Sequence, residues 1–200
     1  MTMNERKEAE KEQFNTLAAV WSNSEEAIGQ AEKVVAALGI QSGQSLMDVA
    51  SGSGVILHAL KKRQIAPRRY LAMDISPGML EELRRSFPEA ETDCADFESP
   101  LAYHPGFDHV LIYNSIPHFS NLDMLFANAQ RSLLPGGTFV IAHSRTRQGL
   151  KEHHQRIGYI SEREPIPANE ELSRLAAQYA FDQVVTSDDE FFYFSCRSRR

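Results

Sequence analysis

The 200-residue chain reads as an α/β fold, a mainly parallel sheet with helices on both faces. Three observations lead there. Short apolar runs at Leu46 to Val49, Tyr70 to Met73, Val110 to Tyr113 and Thr138 to Ala142 alternate with helical patterns. The first run passes into a turn of small residues, Asp48-Val49-Ala50-Ser51-Gly52-Ser53-Gly54. The second ends on an acid, Asp74.

Taken in order, Asn4 to about Val20 is a charged segment that becomes amphipathic, with Phe14, Leu17, Ala18 and Trp21 at helical spacing. It predicts a helix laid over something apolar. A second helix begins near Ser24, a simple N-cap, puts Ile28, Ala31, Val34, Val35 and Leu38 on one face, and stops at Gly39. After the small-residue turn a helix runs from about Val55 to Arg63. Asn121 to Leu134 carries Leu122, Leu125, Phe126, Ala129 and Leu133 on one stripe and is expected to stop at Pro135-Gly136-Gly137. Beyond His143 the segment Ser144 to Pro167 is polar and long for a connection, with a helix expected over Arg147 to Ile157. A helix from Glu170 to Tyr179 and a closing β-hairpin, Phe181 to Thr186 and Phe191 to Cys196, complete the chain. One domain is expected over 1–200: a helical lid over 1–40, and a core over 41–200 whose substrate-side segment is 144–168.

The small-residue turn suits a ligand that approaches the backbone closely, since glycine has no Cβ and tolerates positive φ. The following helix offers unpaired N–H groups, and an acid at the tip of the next strand can accept from both ribose hydroxyls. The pattern therefore predicts an adenosine-bearing cofactor. A dinucleotide fingerprint needs Gly or Ala three residues after Gly54, so that a pyrophosphate can sit on the helix start; that place is Leu57.

The turn resembles the first motif of class I S-adenosylmethionine (SAM) dependent methyltransferases, an acid followed by Gly-x-Gly-x-Gly. Ala50 stands for the first glycine, as it often does in the ubiquinone and menaquinone C-methyltransferases and their relatives. Asp74-Ile75-Ser76-Pro77-Gly78-Met79-Leu80 resembles the second motif and Asp93-Cys94-Ala95-Asp96-Phe97 the third. Phe107 to Phe119 resembles the fourth strand and its loop, and Leu133 to Ile141 the turn and fifth strand. The resemblance implies a Rossmann-like core with a reversed last strand inserted in the sheet, and SAM as cofactor. It implies contacts from Asp48, Ala50, Ser51, Gly52 and Gly54, from Asp74 with Ile75 and Met79, from Asp96 and Phe97 around the adenine, and from Asn114 and Ser115 near the methionine part. Asp48 is expected to act indirectly, bonding amides of the turn, or simply to fix it as a buried acid.

Composition narrows the partners. The net charge of −6 and the absence of a dense Lys/Arg run argue against nucleic acid, and no apolar stretch is long enough for a bilayer. Two cysteines, Cys94 and Cys196, are too few for a disulfide framework or a zinc knuckle. The expected protein is soluble and cytoplasmic, acting on a small molecule. Its oligomeric state stays open, a homodimer included.

Methyl transfer from a sulfonium requires an acceptor on the S-methyl axis and exclusion of water. A base is optional, and histidine suits the task. His118 and His143, at adjacent strand ends, are the candidate catalytic residues, with wall or packing roles as their plainer alternative. Phe14, Trp21, His118, His143, Arg145 and His154 are expected to line the substrate pocket. His153 and His154 diverge on a helix, so only one should face it, and a metal site built from these histidines is disfavoured. Arg145 and Arg147 are candidates for gripping an acceptor carboxylate or phosphate. The reading is a methyltransferase of a small-molecule acceptor; a non-catalytic SAM-binding regulator is the alternative, and a nicotinamide-dependent reductase a weaker one.

Overall fold

Among the described residues five non-glycines hold positive φ, and two of them, Ala50 (56°) and Asn114 (58°), follow the strands whose ends were expected to carry the site. The computed structural model describes residues 3–20, 23–101, 106–158 and 164–199, the side chains at 3, 4 and 6 excepted. The chain separates into two compact units, 1–97 and 98–200.

The first unit begins with α1 (Met3–Ala18) and α2 (Glu25–Leu38), followed by β1 (Ser45–Val49), α3 (Val55–Lys62), β2 (Arg69–Asp74), α4 (Pro77–Ser86) and β3 (Glu91–Cys94). β1 pairs in parallel with β2, and β2 with β3. The Ser24 hydroxyl accepts from the Ala27 amide at 3.1 Å, and Gly39 closes α2 at φ 71°. The five apolar positions expected on the inner face of α2 are all buried. α1 departs from its expected amphipathic character, because polar side chains fasten it. Lys7 Nζ lies 2.7 Å from Asp96 Oδ2. Asn15 Oδ1 accepts from the Ser76 hydroxyl at 2.6 Å and from the Gly78 amide at 3.1 Å. A Cβ on Gly78 would sit 3.2–3.4 Å from Asn15 and Ala18, so a glycine there allows α1 to approach α4 closely.

The second unit holds β4 (Phe107–Tyr113), a 3-10 turn (Ile116–His118), α5 (Leu122–Ser132), β5 (Leu133–His143), α6 (Arg147–Ile157), α7 (Asn169–Gln178), β6 (Phe181–Asp188) and β7 (Phe192–Ser198). β4 and β5 are parallel, so their carboxyl ends, Tyr113 and His143, finish side by side. β7 runs antiparallel to both β5 and β6, as expected for a reversed last strand. α5 ends at Ser132, earlier than expected. Leu134 precedes a proline and is biased away from the helical region, so Leu133 already belongs to β5. The extra residues 134–137 then make a register shift, with Phe107 opposite Leu133 but His109 opposite Thr138. Gly137 is obligatory there, because a Cβ would lie 2.9 Å from Leu134 O and 3.1 Å from Asp108 O. Phe126 of α5 meets Phe139, Phe181 and Phe194 edge-on at centroid distances of 5.1–6.1 Å, which builds the core of this unit.

Three strands in the first unit and four in the second give a fold of seven strands, parallel apart from the antiparallel β7 pairings.

Candidate functional site

In the first unit the turn after β1 carries three left-handed residues in alternation, Ala50 (φ 56°), Gly52 (53°) and Gly54 (93°). Gly54 caps α3, and a Cβ there would meet Leu83 at 3.1 Å, so this glycine serves helix packing. A Cβ on Gly52 would meet nothing within 4 Å. That side of the turn is open. Ala50 keeps the glycine conformation without being a glycine, at a cost of about 1 kcal/mol.

Asp74 is the hinge of the arrangement. Its Oδ2 accepts from the Gly52 amide at 2.8 Å and its Oδ1 from the Ser76 amide at 2.9 Å, which locks the small-residue turn to the start of α4. An ionised carboxylate can accept about four hydrogen bonds, so ribose hydroxyls fit as further donors. Asn23 grips the same turn, donating to Ser53 O at 3.1 Å and accepting from the Ser53 hydroxyl at 3.3 Å. Ser51 Oγ is buried with no hydrogen-bond partner among the described residues. A polar ligand at the turn would satisfy it.

Asp48 corrects the expectation that it bonds amides of the turn. It is 1% exposed, and its carboxylate accepts from the Tyr70 hydroxyl on β2. Burial pushes its pKa up to about 7; the Tyr70 bond opposes the shift and the nearby Asp74 adds to it. Asp48 is thus the buried acid of the two alternatives and touches no ligand surface. Met79 is likewise buried, its amide donating to the Ser76 hydroxyl in the α4 cap. Phe97 is 2% exposed. Of the three apolar side chains expected to contact the cofactor, Ile75, Met79 and Phe97, Ile75 alone keeps an accessible side. It lines a cleft of about 480 Å³ together with Ala95, Cys94 and Asp96, faced by Lys7 and Lys11 of α1. Lys7, Asn15 and Asn23 were invisible to periodicity, because polar residues on a charged helix give no signal of what they bind.

In the second unit the end of β4 and the end of β5 are tied together. The Asn114 amide donates to Ala142 O at 2.9 Å and Asn114 Oδ1 accepts from the Ser144 amide at 2.7 Å. The Ser115 hydroxyl donates to Tyr113 O at 3.0 Å, so that side chain is turned to its own backbone. His143 is 5% exposed, and its Nδ1 accepts from the Arg145 amide at 3.0 Å. Burial first, and the Arg145 charge second, hold its pKa down to about 3. The neutral ring whose Nδ1 is an acceptor carries its proton on Nε2. His143 is therefore poised as a hydrogen-bond donor through Nε2.

His118 and His154 are half-buried, and burial first, with His153, His118 and Arg145 nearby, holds the His154 pKa down. His153 feels Arg145 and Arg156. Both histidines of α6 thus lie near Arg145, and His154 lies near His118 as well. Among the described residues no three His, Cys, Asp or Glu side chains are grouped to hold a metal ion. Arg147 is no anion ligand. It spans Asp188 (Nη1 at 3.3 Å), Pro167 O (2.8 Å) and Asn169 Oδ1 (2.6 Å), and stacks over Phe192 at 4.4 Å. It clamps the start of α6 to β6 and to the start of α7. Glu98, also unforeseen, accepts from the Ser120 amide at 2.6 Å and from that of Asn121, fixing the start of α5. Phe14 is half-buried on α1; Trp21 and residues 159–163 lie outside the described residues.

Comparison with known proteins bears on the fold and the family. The methyltransferase-domain family matches residues 47–141. No curated protein matches significantly. The chain is similar to the chain described as a methyltransferase in the complex with the Haloferax volcanii Trm112 methyltransferase activator. That match has a TM-score of 0.73 at 17% identity, over 94% of this chain and 98% of that one. It is similar also to Haemonchus contortus phosphoethanolamine N-methyltransferase 2 bound to phosphomonomethylethanolamine and S-adenosylhomocysteine, with a TM-score of 0.67 at 16% identity over 86% of this chain; it spans about half, 53%, of that protein. A third similar structure is the CurJ carbon methyltransferase, with a TM-score of 0.68 at 16% identity over 92% of this chain and 58% of that one. The family match takes in the turn, the acid and the strands that follow, so residues 47–141 are a methyltransferase domain, and the chain has the Rossmann-like fold of the class I SAM-dependent methyltransferases.

Proposed function

We propose that the protein transfers the methyl group of SAM to a small-molecule acceptor, as one methyltransferase domain over 1–200 with a cytoplasmic location. The observation that carries the cofactor assignment to residues is the Asp74 lock. A buried carboxylate holds a turn of three left-handed residues, beside an unsatisfied Ser51 hydroxyl and an open Gly52. In this reading Asp74 accepts the ribose hydroxyls, Gly52 lets the nucleoside lie against backbone, Ser51 bonds its polar edge, and Ile75 and Asp96 receive the adenine. SAM supplies an electrophilic methyl group. α1, fastened through Lys7 and Asn15, covers the cofactor end and keeps water out.

His143, Arg145, His118 and His154 receive the acceptor. The Nε2–H of His143 orients it, Asn114 and Ser115 shape the wall, and proton removal is left to solvent or to the acceptor itself. A net charge of −6 supports a small molecule over nucleic acid, and no helix among the described residues is long and apolar enough to cross a membrane.

Incubation with methyl-labelled SAM and a fractionated metabolite extract tests the function. Label is expected in a low-mass product. Label only in protein or nucleic acid would overturn the small-molecule reading, and calorimetry that detects NAD but not S-adenosylhomocysteine would overturn the cofactor.

A further inference from the structure

We propose that the acceptor carries a carboxylate or phosphate group, seated on the Arg145 guanidinium and the Nε2–H of His143. This rests on the methyltransferase reading above and names its substrate class. Arg145 differs from Arg147 and Arg199 of its unit. Arg147 is spent on Asp188, Pro167 and Asn169, and Arg199 reaches Asp182 and the Phe181 carbonyl. Arg145 uses only its backbone, N–H to His143 and C=O to the Phe192 amide, and its exposed guanidinium has no carboxylate partner among the described residues.

The surroundings share the sign. His143 feels Arg145, His154 and His153; His154 feels His118 and Arg145; each of these influences is that of a positive neighbour. Among the described residues, acids that meet α6 are committed elsewhere: Asp188 to Arg147, Glu164 to Lys151, and Glu152 to Gln148. Four imidazoles and an unpaired guanidinium without a carboxylate are a poor place for a cation and a favourable one for an anion. The tautomer of His143 agrees, because its outward nitrogen is a donor and lacks a partner among the described residues.

The test uses the full chain with S-adenosylhomocysteine present, titrated separately with benzoate, inorganic phosphate and neutral benzamide while histidine ring signals are followed by long-range 1H–15N correlation. At least one anion is expected to move the His143 and His154 signals, and benzamide to leave them unmoved. Arg145→Ala should weaken that anion about tenfold or more, with partial recovery in Arg145→Lys and S-adenosylhomocysteine affinity as in the parent. Benzoate against phosphate separates the two chemistries. Benzamide acting like benzoate, no response to either anion, or undiminished anion binding by Arg145→Ala would overturn the proposal. If S-adenosylhomocysteine binds while the anions fail, only this inference falls; if it does not bind at all, the function itself does.

Discussion

Lys7 Nζ stands 2.7 Å from Asp96 Oδ2, so the acid assigned to the adenine holds the N-terminal helix. Both side chains are largely shielded, 17% and 25% exposed, and a pair in that setting is worth up to about 1 kcal/mol. Lys7→Gln should loosen α1 from β3 without unfolding the unit. Limited proteolysis of α1 is expected to quicken about threefold to fivefold, with a smaller salt dependence than in the parent. Equal cleavage rates would mean that Asn15 alone carries the docking.

Ala50 at φ 56° stores strain that a glycine would release. Against this, glycine gains freedom in the unfolded chain, about 0.4–1 kcal/mol. The strain term wins where φ is firmly positive, so Ala50→Gly should raise the melting temperature by about 1–3 °C, and Ala50→Val should lower it. A lower midpoint for Ala50→Gly in thermal denaturation would refute the strain.

How much of this was legible follows from what each residue does. α2, α6 and the hairpin were readable because caps and periodicity are local: Ser24, Gly39, Thr146 and Gly158 mark helix ends by their own chemistry. Asp74 was readable because it ends a strand beside a turn of small residues. The fate of Asp48 was not, since whether an acid faces a turn or the Tyr70 hydroxyl depends on the register of β1 against β2, which brings Leu46 opposite Tyr70. The different fates of Arg145 and Arg147 were equally hidden. Two residues apart in sequence, one is engaged by Asp188 and Asn169 from distant parts of the chain and the other is not.

Asp48 gives stability a pH dependence of known sign. Its folded pKa of about 7 lies above the ordinary 3.8, so the folded state binds the extra proton between those values. Its contribution therefore falls as pH rises from about 4 to 7, and above 7 burial of the charge is a standing cost. Asp48→Asn keeps an acceptor for Tyr70 and carries no charge. It should stabilise the protein at pH 8 by about 1 kcal/mol or more, about 2–4 °C, and show less benefit at pH 5. Equal midpoint shifts at both pH values in thermal melts would show that the carboxyl titrates normally.

Asp74→Asn tests the cofactor lock. An amide retains one acceptor oxygen where the carboxylate offers two, and the Gly52 and Ser76 amides compete for it with any ribose hydroxyl. Hydrogen bonds to a charged group are worth about 1.5–3 kcal/mol, so S-adenosylhomocysteine affinity should fall about tenfold to a hundredfold. Calorimetry checks the affinity, and circular dichroism checks that the unit remains folded. Unchanged affinity would move the ribose away from Asp74.

His143 should stay neutral and Nε2-protonated across the whole range in which an enzyme of this kind works. Its pKa is held down to about 3 by burial and by Arg145, and its Nδ1 is engaged by the Arg145 amide. The ring signals in 1H–15N spectra should therefore be those of a single neutral tautomer from pH 5 to 9. Once an acceptor is known, the pH–rate profile should lack an acid limb from this residue. His143→Ala should lower kcat/KM about tenfold through lost orientation and leave S-adenosylhomocysteine affinity nearly as in the parent. Its pH profile should keep the same shape, since a donor that does not titrate removes no limb when it is lost. An acid limb near pH 6.5 that disappears in His143→Ala would show instead that Nδ1 lets go of the Arg145 amide during turnover, and would restore the histidine as the base.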